Sequence, residues 1–237
     1  MNWKLITASL LVALPVLADE FQAANQLYDA GKFAEAAAAY EKIEPKTAHI
    51  YYNAGNAWFR QDKLGLAILN YEHARRLAPR DPDIQANLKF AQQRLGVDEV
   101  NAPPRTVDRL LRLVTESRTV AEWSAYELAG LWLTALAIAA CIYFPKMRTG
   151  LVIVCVAGIA VLAVTVFALS NRMITGVVTA GTEARFAPLP DSTVHFRLAE
   201  GTKVAVREDR GQWLFVERAD GQQGWVKTEA LGRVVPL

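Results

Sequence analysis

Three histidines, two cysteines and 24 acidic residues are the first groups to consider as metal ligands, nucleophiles or proton carriers in this chain. Their spacing supports none of these roles. His49, His73 and His195 lie far apart, with no His-Glu-x-x-His or similar ligand pattern around them. Cys141 and Cys155 sit inside long apolar runs, where a thiol behaves as a small hydrophobe; a disulfide between the two is the alternative. There is no Gly-x-Ser-x-Gly elbow and no phosphate-binding glycine loop. The chain therefore reads as a non-enzyme, without catalytic residues, metal or cofactor, and its chemistry is expected to be recognition. A formal charge of +2, from 26 basic and 24 acidic side chains scattered along the sequence, gives no reason to expect nucleic acid.

Two apolar runs govern where any recognising residue can sit. Leu128 to Ser170 reads as two spans of about twenty residues, each long enough at about 1.5 Å per residue to cross a hydrocarbon core of about 30 Å. The reading places one transmembrane helix at 125–144, a cytoplasmic loop at 145–149 and a second transmembrane helix at 150–170. No charged residue or histidine falls between Leu128 and Phe144 or between Gly150 and Ser170, so the hairpin reads as an anchor and not as a transport path. Gly158 and neighbouring alanines would let the two helices approach closely. Met1 to Ala18, with Lys4, an apolar core and small residues before Asp19, has the grammar of a signal peptide. It would export the segment from residue 19 and leave Lys146 and Arg148 in the cytoplasm, in agreement with the positive-inside rule. Trp123, Tyr126 and Trp132 then mark the outer interface, and Thr119-x-x-Glu122 forms a capping box ahead of the first span.

Residues 19–97 carry a repeat of helix pairs, clearest in Tyr51, Ala54, Gly55, Trp58, Ala67, Tyr71, Ala74 and Pro79. An earlier copy is visible in Ala23, Ala24, Leu27, Gly31, Ala36 and Tyr40, and a last amphipathic helix, Asp83 to Leu95, reads as a cap. Small residues stand where two helices would cross and aromatic residues where space between them must be filled. This pattern resembles the tetratricopeptide repeat. The resemblance implies a curved scaffold whose first helices line a concave face that binds peptide segments or partner proteins. Candidate partner-binding residues on that face are Asn25, Tyr28, Tyr52, Asn53, Asn56, Arg60, Asn87 and Arg94; asparagine bonds peptide groups in both directions and arginine takes carboxylates. His73, on a second helix, is expected to be exposed.

Residues 98–124 read as a Pro-containing linker followed by a short amphipathic helix, lying either on the outer leaflet or against the repeats. From Thr175 the pattern changes to five or six short strands separated by Gly, Pro and Asp, predicting a small all-β barrel within 171–237. Leu198 to Val206 with Gly201, Trp213 to Val216, and Asp220 to Val226 ending in Gly-Trp-Val resemble the bacterial SH3-like domain. That resemblance implies binding of cell-wall peptides or protein segments. Trp225 reads as core, and Trp213 is either core or a further partner-binding residue.

The fold class is thus a multidomain membrane protein: α-helical repeats, a two-helix transmembrane hairpin and an SH3-like barrel. This order of modules resembles the BatE-type family of the bacterial aerotolerance (Bat) operon. The resemblance implies a scaffold at the inner membrane, both modules periplasmic, with von Willebrand-type Bat proteins and a MoxR-type ATPase complex as partners. The alternative is a protein that senses or attaches to peptidoglycan through its SH3-like domain. A reporter fused after Lys146 is expected to be cytoplasmic and one fused after Leu237 exported; the reverse assignment would overturn this topology.

Overall fold

The computed structural model describes residues 19–97, 118–143, 148–170 and 174–234. The expected signal peptide, most of the segment expected to be a linker with an amphipathic helix (98–124) and most of the expected loop at 145–149 lie outside the described residues. The chain forms two compact units, one built from both the N-terminal and the C-terminal segments and the other from the helices between them.

In the first unit, helix α1 covers residues 19–29. It is followed by α2 (Phe33–Lys42), α3 (Ala48–Arg60), α4 (Leu64–Leu77) and α5 (Pro82–Leu95). The turns α1–α2 and α3–α4 have the same design: Gly31 and Asp62 occupy left-handed backbone, with φ of 74° and 63°. Gly55 lets α3 approach α4, because a Cβ there would stand 2.6 Å from the Tyr71 ring. Ala54, Ala57, Ala67, Ala74 and Tyr71 are buried, so alanine and tyrosine together fill the layers between helices. Asp81 caps α5 by accepting from the amides of Asp83 and Ile84, Pro82 opens the helix, and left-handed Gly96 closes it.

The C-terminal segment is a seven-stranded antiparallel sheet. Its strands are β1 (Thr175–Val178), β2 (Thr182–Arg185), β3 (Val194–Leu198), β4 (Lys203–Asp209), β5 (Trp213–Arg218), β6 (Gln223–Lys227) and β7 (Leu231–Val234). They lie in the order β3-β2-β6-β5-β4-β1-β7. Val178, Ala184, Leu198, Val204, Leu214, Val216 and Val226 make its core. Six strands agree with the alternating runs of the sequence. β7 escapes that reading: Leu231-Gly232-Arg233-Val234 shows no apolar-polar alternation, and its pairing with β1 joins residues more than fifty positions apart.

Helices and sheet are joined into one body along α4, which packs on β1 and β7. Val177 and Val234 of the sheet belong to the same buried cluster as Ala67, Ile68 and Tyr71. Gly201 accommodates Leu95 and Ile68, which would lie 2.6 and 2.9 Å from a Cβ. Polar groups seal the joint: the Gly65 amide donates to Glu200 Oε1 (2.6 Å) and Arg76 Nη2 donates to Thr175 Oγ1 (2.8 Å). At its centre Glu72, 2% exposed, lies 2.9 Å from Arg75 Nη2 and 2.8 Å from Lys203 Nζ of β4. His73 is not exposed as expected; it is half-buried, stacked on Tyr51 with centroids 4.6 Å apart.

The second unit is a helical hairpin. α6 (Val120–Tyr143) starts at the expected capping box, where Glu122 accepts from the Thr119 amide and Thr119 Oγ1 accepts from the Glu122 amide. α7 (Arg148–Ser170) packs antiparallel to it, since Glu127 meets Thr165 while Thr134 meets Gly158. Trp123 and Ala137 of α6 and Thr165 of α7 are buried, whereas Leu133, Leu136, Ile153 and Val156 are all at least 60% exposed. Among the described residues one helix, α6 over Val120–Ala140, is long and apolar enough to cross a membrane; α7 carries a shorter apolar stretch, Val152–Val166. Cys155 is a free thiol.

Burial opposes ionisation of Glu72, but Lys203 and Arg75 outweigh it and hold the carboxyl down at about 2. Burial, reinforced by Arg76, pushes His73 down to about 4. Lys203→Met leaves Glu72 buried with Arg75 alone and is expected to cost about 2–3 kcal/mol, below the full penalty of an orphaned buried charge. Glu72→Leu in the same chain should recover most of that loss, as read by urea unfolding of the full-length protein in detergent. Both titrations act in one direction. Each folded-state pKa lies below its ordinary value, so each group adds stability above that value and loses it as pH falls: His73 between about 6.5 and 4, Glu72 between about 4.5 and 2. The unfolding midpoint is expected to drop from about pH 7 to about pH 5 and His73→Phe to flatten the drop; an unchanged drop in the variant would remove His73 as its cause.

Candidate functional site

α1 and α3 present Asn25, Tyr28, Asp29, Asn53 and Asn56 to a shared cavity of about 340 Å³, which Tyr40 of α2 completes. Helical spacing places Asn25, Tyr28 and Asp29 on one face and Asn53 and Asn56 on another. The small residues at the helix crossings bring those faces together.

The floor of the groove is a hydrogen-bonded ladder. The Tyr40 hydroxyl donates to Asn25 Oδ1 (2.5 Å), which also accepts from Asn53 Nδ2 (3.3 Å). One repeat further on, the Tyr71 hydroxyl donates to Asn56 Oδ1 (2.7 Å), which also accepts from Asn87 Nδ2 (2.9 Å). Asn87 Nδ2 donates as well to the Tyr52 hydroxyl at 3.0 Å. The equivalence is close: Tyr40 and Tyr71, 31 residues apart, each reach back 15 positions to an asparagine. Burial pushes the Tyr40 hydroxyl up to about 12 and raises that of Tyr71 further, so both stay protonated donors at neutral pH.

Six of the nine candidate residues thus gather along the groove: Asn25 and Asn53 on one hydrogen-bonded rung, Asn56, Asn87 and Tyr52 on the next, and Tyr28 on the cavity wall. Three stand elsewhere. The Arg60 guanidinium lies 4.6 Å over the Phe33 ring. Arg94 pairs with Asp62 at 2.8 Å and covers Phe59. Trp213 lines a second cavity of about 240 Å³ on the sheet, with Gly181, Thr182, Glu183, Arg185 and Lys227. Trp213 is 9% exposed, and Trp225 is buried against Phe215 (centroids 5.1 Å) with Arg210 over its ring. Sequence reasoning missed Asp29, although it lies one helical turn after Asn25, and took Tyr40 for packing alone. Among the described residues no group of three histidine, cysteine or acidic side chains is placed to hold a metal ion.

Residues 179–232, which make up most of the C-terminal antiparallel sheet, match the family model of the bacterial SH3 domain. The match covers β2 to β6 and stops inside β7, so β1 and the end of β7, the strands that meet α4, lie at or beyond its margins. No curated protein and no solved structure matches the chain.

Asn56→Ala removes the acceptor of both the buried Tyr71 hydroxyl and the Asn87 amide and is expected to cost about 1–3 kcal/mol. Asn53→Ala removes a single, longer donor bond and leaves the Tyr40–Asn25 bond in place, and should cost less than about 1 kcal/mol. Thermal unfolding of the two variants checks the order; equal losses would show that the Tyr71 rung carries no special weight.

Proposed function

We propose that the protein is a non-catalytic scaffold, anchored in the bacterial inner membrane, that holds partner proteins at its periplasmic face. The polar groove carries this reading. It is built from paired helices, its walls offer hydrogen-bonding groups of both senses, and its repeat spacing supports the tetratricopeptide resemblance and with it peptide or protein ligands.

The joined first unit bears on topology. Segments before and after the hairpin fold together, which supports a chain that leaves and returns on the same side, with α6 and α7 crossing as a pair. Since α6 is long and apolar enough to cross, this parity supports α7 as a second span, as do the large apolar side chains directed outward from both helices. The signal-peptide grammar and the basic Lys146 and Arg148 support the periplasmic side. The order of modules supports a BatE-type component that meets von Willebrand-type Bat proteins and a MoxR-type ATPase complex.

A second reading, attachment to peptidoglycan, is favoured by the cavity on the sheet, where Trp213 adjoins Arg185 and Lys227 in a domain similar to bacterial SH3 domains. Full-length protein in detergent is expected to retain a membrane-extract partner that the double variant Tyr28→Ala, Asn53→Ala loses. Retention by that variant, together with co-sedimentation on purified sacculi that Lys227→Glu abolishes, would replace scaffolding by wall attachment.

A further inference from the structure

We propose that the groove selects positively charged peptide segments and that Asp29 is the residue that selects them. This rests on the reading of the groove as a peptide site and adds the charge of its ligand.

The ladder leaves a mixed set of groups for a ligand. With Asn25 Oδ1 and Asn56 Oδ1 each accepting two bonds, their Nδ2 groups remain as donors, while Oδ1 of Asn53 and Asn87 remain as acceptors. Donors and acceptors along two neighbouring helices suit the main chain of an extended segment and carry no net charge. Among the described residues that line the cavity Asp29 is the one charged side chain, and it is exposed. Its field reaches the floor, where it adds to burial in raising Tyr40.

The cations around this face are engaged with other groups: Arg60 stacks on Phe33, Arg94 is paired with Asp62 and stacked on Phe59, Lys32 pairs with Glu35, and Lys46 donates to backbone carbonyls including that of Tyr40. A carboxylate entering the groove meets Asp29 with no cation among the described lining residues to offset it. A lysine or arginine side chain meets an exposed carboxylate and displaces no ion pair. The groove thereby differs from what arginines on a concave face suggest in the sequence, which is capture of an acidic segment or a free C-terminus.

The test is isothermal titration calorimetry on the full-length protein in a neutral detergent, at low salt. The probes are three N-acetylated, C-amidated peptides of about ten residues in which alanine alternates with lysine, glutamate or serine. The lysine peptide is expected to bind about tenfold tighter than the glutamate peptide, a gap that narrows in about 0.5 M salt. Asp29→Asn should shrink the gap below about twofold, and Asp29→Lys should reverse it. Thermal unfolding verifies that both variants keep the fold, as expected for an exposed side chain. Equal or tighter binding of the glutamate peptide, or a preference unchanged in Asp29→Asn, overturns the charge assignment and leaves the groove a peptide site. Absence of binding by all three peptides removes the peptide reading itself, and this inference with it.

Discussion

Glu72 is a carboxylate taken out of water in the middle of an apolar joint, and the architecture of the first unit depends on its being matched. Removing an ion from water costs several kcal/mol, recovered only with close, well-oriented partners. Arg75, one turn along the same helix, supplies one. Lys203 supplies the other from the sheet, more than a hundred residues further on. The pair works as a register mark: Ile68, Leu69 and Leu95 could pack on a sheet in many orientations, but only one brings Lys203 onto Glu72. Nonpolar burial supplies the attraction, and the charge selects the geometry.

That joint also changes what the helices need. Two helix pairs and a cap bury little apolar surface, and arrays of this kind draw stability from their neighbours. Here the neighbour is β1 and β7, whose Val177 and Val234 extend the core around Tyr71. Tyr71 connects the two sides. Its ring packs against Gly55 within that core, while its hydroxyl holds Asn56 in the groove. The face that meets the sheet and the face that lines the groove therefore share one buried side chain, which couples the shape of the groove to the integrity of the joint.

The hairpin obeys the opposite rule. Apart from Trp123 its large apolar side chains point outward, while Ala137 and Thr165 are buried between the helices, an arrangement that close packing of small groups accounts for and that hiding leucine does not. Gly158 against Thr134, and Thr165 against Glu127, are contacts of that kind.

Much of this was legible in the chain itself. Local rules set the helices: Gly31 for a left-handed turn, Asp81-Pro82 and Gly96 for the ends of α5, Thr119 and Glu122 for the start of α6. The three-to-four-residue spacing of Asn25 and Tyr28, and of Asn53 and Asn56, put them on common faces, and alternation in the C-terminal segment exposed six of seven strands. These features depend on residues near one another in sequence. What only the tertiary structure decided depends on distant pairs. β7 exists because β1 pairs with it; Glu72 is buried and His73 half-buried because the sheet docks on α4; Arg60 and Arg94 turn to Phe33 and Phe59. Each is a choice among partners of equal local merit, and only the assembled fold shows which partner comes within reach.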